Sequence, residues 1–398
     1  MQIEGKKDRI LLGPGPSNVH PRVLRALASP LLGHLDPDFI NIMQETMGFL
    51  RLTFKTANPL TIAFSGTGSA GMESCLINLL EPGDRVVIGI NGFFGERMRE
   101  MSLRAGADVR EVVAPWGSPI DPDDVVAALR EKKTKLLAVV QGETSTGVLQ
   151  PLADLGRLAH EYGSLILVDA AASLGGCPLE TDSWDLDACY SGSQKALSCP
   201  PGLAPATFNP RAEEIIRHRK SKVQSWYLDV SLIQDYWTSG RMYHHTAPVS
   251  MLFALREALR LVQEEGLEKR IQRHHENSQA LRCGLFALGL QGLSQEEAFF
   301  LPTIVPIRIP AGFDDADIRS RLRKDWSIEI GGGLGELRGK IWRIGLMGEG
   351  STRKNVRTIL VSLAEVLGEC GWPGQTEDAL EAVNDFYRVL DNSVVKAG

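Results

Sequence analysis

The chain holds 398 residues, 43% of them apolar, with 43 Lys and Arg against 49 Asp and Glu, for a formal net charge of −6. This is the composition of a soluble globular protein with length for two or three cores, which excludes a peptide-sized scaffold stapled by disulfides or metal. With no long Lys/Arg-rich run, the chain lacks the footprint of a nucleic-acid or anionic-membrane binder, and small molecules are the expected partners.

At the N-terminus, Met1 to Arg9 has no apolar core of a secretory signal, and no stretch of about 18 uncharged apolar residues occurs anywhere. The C-terminal Val395-Lys396-Ala397-Gly398 is not a peroxisomal address. Cys75, Cys177, Cys189, Cys199, Cys283 and Cys370 form no C-x-x-C pair, so reduced thiols and a cytoplasmic location are expected.

From Leu60 to Asn209, short runs of Val, Ile and Leu alternate with segments of helical period, the pattern of βαβ units around a mostly parallel sheet. Seven strands are predicted: Leu60–Phe64, Arg85–Ile90, Asp108–Val113, Leu136–Val140, Leu165–Asp169, Leu186–Tyr190 and Ala204–Phe208. One-sided apolar spacing, such as Met72, Leu76, Leu79 and Leu80, predicts helices over Ser69–Leu80, Asp121–Glu131 and Ala153–Tyr162. From Pro248 two long helices follow: Met251–Glu264, expected to cross between domains, and Leu267–Leu288, polar over much of its length. A strand (Thr303–Ile309), a helix (Ala316–Lys324), two strands (Ser327–Ile330, Lys340–Leu346) and a helix (Arg353–Glu369) then read as a smaller α+β domain, with Thr376–Leu390 as a surface helix. The resulting division is an N-terminal arm over 1–22, a large domain over 23–265 and a small domain over 266–398, with an extra tail from residue 373.

Gly66-Thr67-Gly68-Ser69-Ala70-Gly71 is a G-x-G-x-x-G sequence that follows a predicted strand and opens a helix, so its amides suit a phosphate. A dinucleotide site would also need an acidic residue at the end of the next strand, where Asn91-Gly92 stands instead. A nicotinamide-dependent oxidoreductase therefore stays open as an alternative, behind a phosphate loop of another kind. Asp169 ends the apolar strand Leu165–Asp169, at the sheet edge where open α/β folds bind ligands. Lys195 lies in Tyr190-Ser191-Gly192-Ser193-Gln194-Lys195-Ala196-Leu197, straight after a strand, where a solvated lysine would be the ordinary reading. Phosphate loop, strand-end aspartate and lysine together match what pyridoxal 5′-phosphate requires: an anchor for its phosphate, a carboxylate for its ring nitrogen and an amine for its aldehyde.

Seven segments in order resemble the alanine–glyoxylate and serine–pyruvate aminotransferase family of class-V, fold-type-I pyridoxal-phosphate enzymes. They are Leu11–Asn18 (LLGPGPSN), Ser65–Gly68, Gly142–Pro151 (GETSTGVLQP), Val168-Asp169, Ser191–Leu197, Tyr243-His244-His245-Thr246 and Arg343-Ile344-Gly345. The resemblance runs from about Arg9 to Gly371. It implies a large domain with a seven-stranded mostly parallel sheet, a smaller α+β C-terminal domain and a homodimer with shared active sites. It makes Lys195 the lysine that condenses with the cofactor, Asp169 the partner of its ring nitrogen, and Gly68, Ser69 and Gln194 contacts of its phosphate. Thr144 would bond near the ring oxygen, Phe94 would stack on the ring, and Tyr243 with Thr246 would reach the phosphate of the neighbouring subunit. Arg343 would grip the substrate carboxylate, a bidentate task suited to a guanidinium fork, and the loop around Gly15 would close on it.

The sequence departs from close animal relatives of that family, which have Trp at the Phe94 position and His at the Ser69 position. His244-His245 lacks a third ligand and is expected to be a structural pair near a subunit boundary. His34 is either a channel residue or a solvated loop histidine, Cys199 a small buried residue, and Glu264, Glu265, Glu268, Lys269 and Arg270 a solvated helix face. The expected activity is ping-pong transfer of the amino group of alanine or serine to glyoxylate or another small 2-oxo acid, with ureidoglycine and hydroxykynurenine as alternative donors. No metal is expected. A catalytically inactive scaffold would not need Lys195, Asp169 and Arg343 together.

Overall fold

Seven strands build the central sheet of the computed structural model, which describes residues 8–238, 242–294 and 296–397. Across the sheet they run Leu60–Ser65, Leu203–Phe208, Ala188–Tyr190, Leu165–Asp169, Leu136–Val140, Arg85–Ile90 and Asp108–Val113. All are parallel to one another except Leu203–Phe208, which runs antiparallel to both its neighbours. The chain is thus an α/β protein with a mostly parallel sheet, and the strand bounds agree with the sequence pattern to within two residues. Leu136–Val140 is buried at every position, as a strand covered by helices on both faces must be.

Helices Pro21–Leu27, Pro37–Phe54 and Val249–Glu265 pack together on this larger core. The first two begin with Pro at the first turn and are capped by the side chains of His20 and Asp36, signals that were present but unassigned in the sequence. Val249–Glu265 does not cross between cores: its buried residues, among them Leu252, Leu255, Leu259 and Val262, belong to the larger one. The change occurs at Gly266, whose φ of 86° turns the chain into helix Leu267–Ala287.

The smaller core lies between the three-stranded sheet of Ile304–Arg308, Ile341–Gly345 and Gly331–Gly332 and helices Leu267–Ala287, Asp315–Asp325 and Arg353–Glu369. Strand Ile10–Leu11 pairs in parallel with Ile328–Glu329, so the chain start is stitched to this second body rather than to the first. The first seven residues of the expected arm and the last of the expected tail lie outside the described residues.

Two expectations are corrected here. Helix Thr376–Ala397 is not a surface appendage: Ala379, Val383 and Tyr387 are buried in the smaller core, and the Tyr387 hydroxyl donates to Asn277 Oδ1 at 2.8 Å. Nor is the charged cluster at 264–270 a solvated face. Arg270 is 1% exposed, donates to Glu265 at 2.6 Å and to the Ala196 carbonyl at 2.7 Å, while Glu264 and Glu268 remain outside, paired with Arg22 and Lys55. Part of the polar character of helix Leu267–Ala287 has the same cause: Arg270, His274, Asn277, Ser278 and Arg282 are buried, while Glu268, Lys269, Gln272, His275 and Gln279 face water. His274 shows this: its Nδ1 donates to the Arg270 carbonyl and its Nε2 accepts from the Gly348 amide, and burial pushes its pKa down to about 3.

Candidate active site

At the carboxyl edge of the sheet, register sets Asp169 opposite Tyr190 on neighbouring parallel strands. The Tyr190 hydroxyl donates to Asp169 Oδ2 at 2.6 Å, and the Ala171 amide donates to Oδ1 at 2.7 Å. Burial raises the proton affinity of the carboxylate and these two donors oppose the rise. Both donors are neutral, so Asp169 is a buried carboxylate suited to a cationic partner.

Lys195 follows the same strand edge in a tight loop. The Ser198 amide donates back to the Lys195 carbonyl at 3.0 Å, and the Ser17 hydroxyl donates to that carbonyl at 2.7 Å. Ser17 N–H holds the Gln194 carbonyl and buried Arg270 holds the Ala196 carbonyl, so the residues on each side of the lysine are pinned from two directions. The amine itself donates to the Pro14 carbonyl. Burial, then the positive charge of Arg343, push the Lys195 pKa down to about 8, which makes an uncharged nucleophilic amine accessible near neutral pH. Gly15 is required beside it: its φ is +110°, and a Cβ there would stand 2.7 Å from Lys195 Cδ.

Helix Gly68–Leu79 begins at the glycine-rich turn. Thr67 at its N-cap makes no side-chain cap bond, and the amides of Gly68 and Ser69 have no acceptor among the described residues. An anion at this helix start would satisfy them. The buried Oε1 of Gln194 also lacks a partner. Next to this turn, Arg97 donates to Ser69 Oγ at 3.1 Å and its guanidinium lies 4.9 Å from the Phe94 ring centroid. Phe94 and Arg97 share helix Phe93–Arg104, whose N-terminus is capped from outside: Glu143 accepts from the Phe94 amide and Ser145 Oγ accepts from the Phe93 amide, each at 2.9 Å. Gly92 must be glycine there, because a Cβ would lie 2.5 Å from both capping side chains.

Arg343 enters from the smaller body, on strand Ile341–Gly345. Its Nε donates to the Gly332 carbonyl at 2.7 Å and its Nη1 to the Thr144 carbonyl at 3.2 Å, while burial pushes its pKa down to about 10. The structure therefore brings Gly15, Gly68, Ser69, Phe94, Thr144, Asp169, Gln194, Lys195 and Arg343 to one edge of the sheet, between the two cores.

Tyr243 and Thr246 are not part of that group. They are exposed, 3.4 Å apart through their hydroxyls, and form no hydrogen bond to Lys195, Asp169 or Arg343. Beside them the imidazoles form a chain: His244 Nε2 donates to the Trp226 carbonyl at 3.1 Å, its Nδ1 accepts from His245 Nδ1 at 2.7 Å, and His245 Nε2 accepts from Ser65 Oγ at 2.7 Å. The carbonyl fixes these tautomers, since it can only accept. His34 places its ring 5.2 Å from that of Tyr243, and Cys199 is buried with its thiol pKa pushed up. Among the described residues no group of three His, Cys, Asp or Glu is arranged to hold a metal, and no helix is long and apolar enough to cross a membrane.

Three residues at this site were not singled out from the sequence, Tyr190, Glu143 and Arg97, and a fourth, Arg270, was expected on a solvated face. For Tyr190 a signal existed, because it ends the predicted strand that follows the one ending in Asp169 along the chain. Glu143 is an acid inside a run of small and hydroxyl residues, and it is fully buried. Nothing local marks Arg97 or Arg270, whose roles depend on contacts far away in sequence.

The family model described as aminotransferase class-V matches residues 13–336. The chain is 45% identical to an alanine–glyoxylate aminotransferase of Oryctolagus cuniculus, covering 91% of this chain and 93% of that one. It is 40% identical to an (S)-ureidoglycine–glyoxylate transaminase of Bacillus subtilis, covering 95% of each. A crystal structure of an alanine–glyoxylate aminotransferase from Nostoc sp. superimposes with a TM-score of 0.89 at 47% identity, over 92% of this chain and 98% of that one.

Proposed function

The chain belongs to the class-V aminotransferase family, and from that premise we propose that it moves the amino group of alanine or serine to glyoxylate or another small 2-oxo acid, with pyridoxal 5′-phosphate as cofactor. The observation that carries this reading is the convergence of a neutral-capable Lys195, a buried Asp169 and a carboxylate-gripping Arg343 at one sheet edge. The residues fit the cofactor: uncapped amides at Gly68 and Ser69 with the unpartnered Gln194 Oε1 nearby, and a buried carboxylate without a cation in hydrogen-bond contact.

When bound, the cofactor supplies an aldehyde that condenses with an amine and a protonated ring that takes up electrons as the substrate loses its α-proton. In this reading Gly68, Ser69 and Gln194 would hold its phosphate, Asp169 would pair with its ring nitrogen, Thr144 would bond near its ring oxygen, and Phe94 would lie against the ring. Lys195 Nζ would be the amine that meets the cofactor's aldehyde, and with a pKa near 8 it could accept and return a substrate proton. Arg343 keeps two bonds to backbone carbonyls and retains further N–H groups for an α-carboxylate, which donor and acceptor both possess. Gly15, against the Lys195 side chain, lets the loop from Gly13 to Asn18 close over that carboxylate.

Exposed Tyr243 and Thr246 support a homodimer in which each subunit completes the phosphate site of the other. The free thiols, four of them buried, support the cytoplasmic reading. The nicotinamide alternative for Gly66–Gly71 is not favoured, since the family match spans that loop. Steady-state assays with alanine or serine against glyoxylate and other small 2-oxo acids test the proposal: parallel double-reciprocal lines with the acceptor's amino acid as product are expected, whereas intersecting lines, or transfer from (S)-ureidoglycine alone, would overturn it.

A further inference from the structure

Outside the active site, a cavity of about 270 Å³ opens between helix Leu267–Ala287, the turn Glu297–Phe299 and helix Thr376–Ala397. Its wall is largely apolar, with Phe286, Phe300, Pro302, Phe386 and Cys283, and none of Lys195, Asp169 or Arg343 reaches it. Arg282 faces this space. The residue is 6% exposed, and its buried Nη2 has no hydrogen-bond partner among the described residues. Phe300 covers one face of the guanidinium, 3.8 Å from centroid to Cζ, and leaves the edges of the fork free.

A buried cation without a counter-ion is unusual, because removing it from water costs several kcal/mol unless a partner replaces the water. Among the described residues the other arginines buried to this degree have hydrogen-bond partners: Arg270 has Glu265 and the Ala196 carbonyl, and Arg343 has the Gly332 and Thr144 carbonyls. Glu297 at the rim acts on Arg282 only at longer range, and it is itself exposed to solvent. Desolvation pushes the Arg282 pKa down to about 9, so the group remains charged near neutral pH. A guanidinium in the wall of a largely apolar, aromatic-lined cavity matches a carboxylate attached to a hydrophobic body, provided the buried Nη2 turns towards the ligand on binding.

We propose that this cavity is a second binding site, distinct from the substrate site, in which Arg282 grips the carboxylate of a small hydrophobic monocarboxylate the size of a substituted benzoate. The pocket wall is shared by the helix that turns off the larger core at Gly266 and by the C-terminal helix. Occupation would therefore tie those two helices together through a ligand.

The test uses the full chain and 4-bromobenzoate. Calorimetric titration is run on wild type, Arg282→Met, Arg282→Lys and Arg343→Gln, and crystals of the wild type soaked with the same compound are examined for bromine anomalous signal. Wild type and Arg343→Gln are expected to bind alike, Arg282→Met to lose about tenfold or more in affinity, and bromine to appear beside Phe286 and Phe386. Arg282→Lys, which keeps the charge but not the fork, is expected to fall between. Binding that survives in Arg282→Met but vanishes in Arg343→Gln, or absence of bromine from the cavity at saturating compound, would overturn the proposal. The soaked wild-type crystal decides the matter even if Arg282→Met does not fold.

Discussion

The phenol of Tyr190 donates to Asp169 Oδ2 at 2.6 Å, from a neighbouring strand whose register sets the two residues side by side. This bond opposes the effect of burial on the carboxylate, so Tyr190 helps to keep Asp169 ionised where a cationic ring nitrogen would need it.

Replacing Tyr190 by Phe removes the bond and leaves Oδ2 buried without its donor. Stability should fall by about 1–3 kcal/mol, and Asp169 should become harder to ionise. Urea titration measures the first effect. The second should appear as weaker pyridoxal phosphate binding that recovers as pH rises, and a pH-independent loss would contradict it.

Lys195 has its pKa lowered from 10.5 to about 8. Between those values the unfolded chain binds the proton and the folded one does not, so stability rises with pH through that window, and below about 8 the folded state bears the whole penalty. Cofactor-free Lys195→Met should therefore be more stable than wild type at pH 7, by at most about 3 kcal/mol, with the gap closing towards pH 10. Melting curves at both pH values check this, and a variant less stable at pH 7 would count against it.

The imidazole chain gives an acid-side prediction. Burial and the neighbouring His244 push the His245 pKa from 6.5 to about 4. The unfolded state takes up the proton first, so stability is lost as pH falls from 6.5 to about 4. Below that range His245 Nε2 carries a proton and can no longer accept from Ser65 Oγ. His245→Gln should flatten this part of the stability–pH curve, and an unchanged slope would sink the assignment.

Much of this was legible in the sequence because the parallel sheet leaves a strong trace. Strands such as Leu136–Val140 are apolar on both faces, and the residue types demanded by the cofactor stand at their ends, as Asp169 does. What could not be read depended on distant partners. Arg270 looked like one charge among several on a helix, yet it is buried because Glu265 and the Ala196 carbonyl are waiting for it. The tail helix looked exposed because its matching apolar surface, around Leu281 and Leu285, lies about a hundred residues earlier.

Arg270→Met should reveal that hidden role. It leaves Glu265 with Arg273 alone and the Ala196 carbonyl without a donor, so about 3 kcal/mol of stability should be lost. Lys195, one residue away, should be held less firmly, which hydrogen exchange at the amides from Gln194 to Ser198 would register. Unchanged exchange there would contradict a positioning role.

Substrate binding provides a further check. Arg343→Lys retains the charge and loses the fork, so KM should rise about tenfold or more for donor and acceptor alike. A rise for only one of them would mean that the two carboxylates do not share a clamp.

The most direct test of the central claim is the visible absorbance of the purified protein with pyridoxal phosphate, wild type beside Lys195→Ala, before and after L-alanine and then L-serine. The account predicts a visible band from the cofactor's aldehyde joined to a protein lysine, present in wild type, absent from the variant and bleached by one of the two amino acids. A wild type without such a band, or a variant that keeps it, would contradict the assignment of Lys195 and the function built on it.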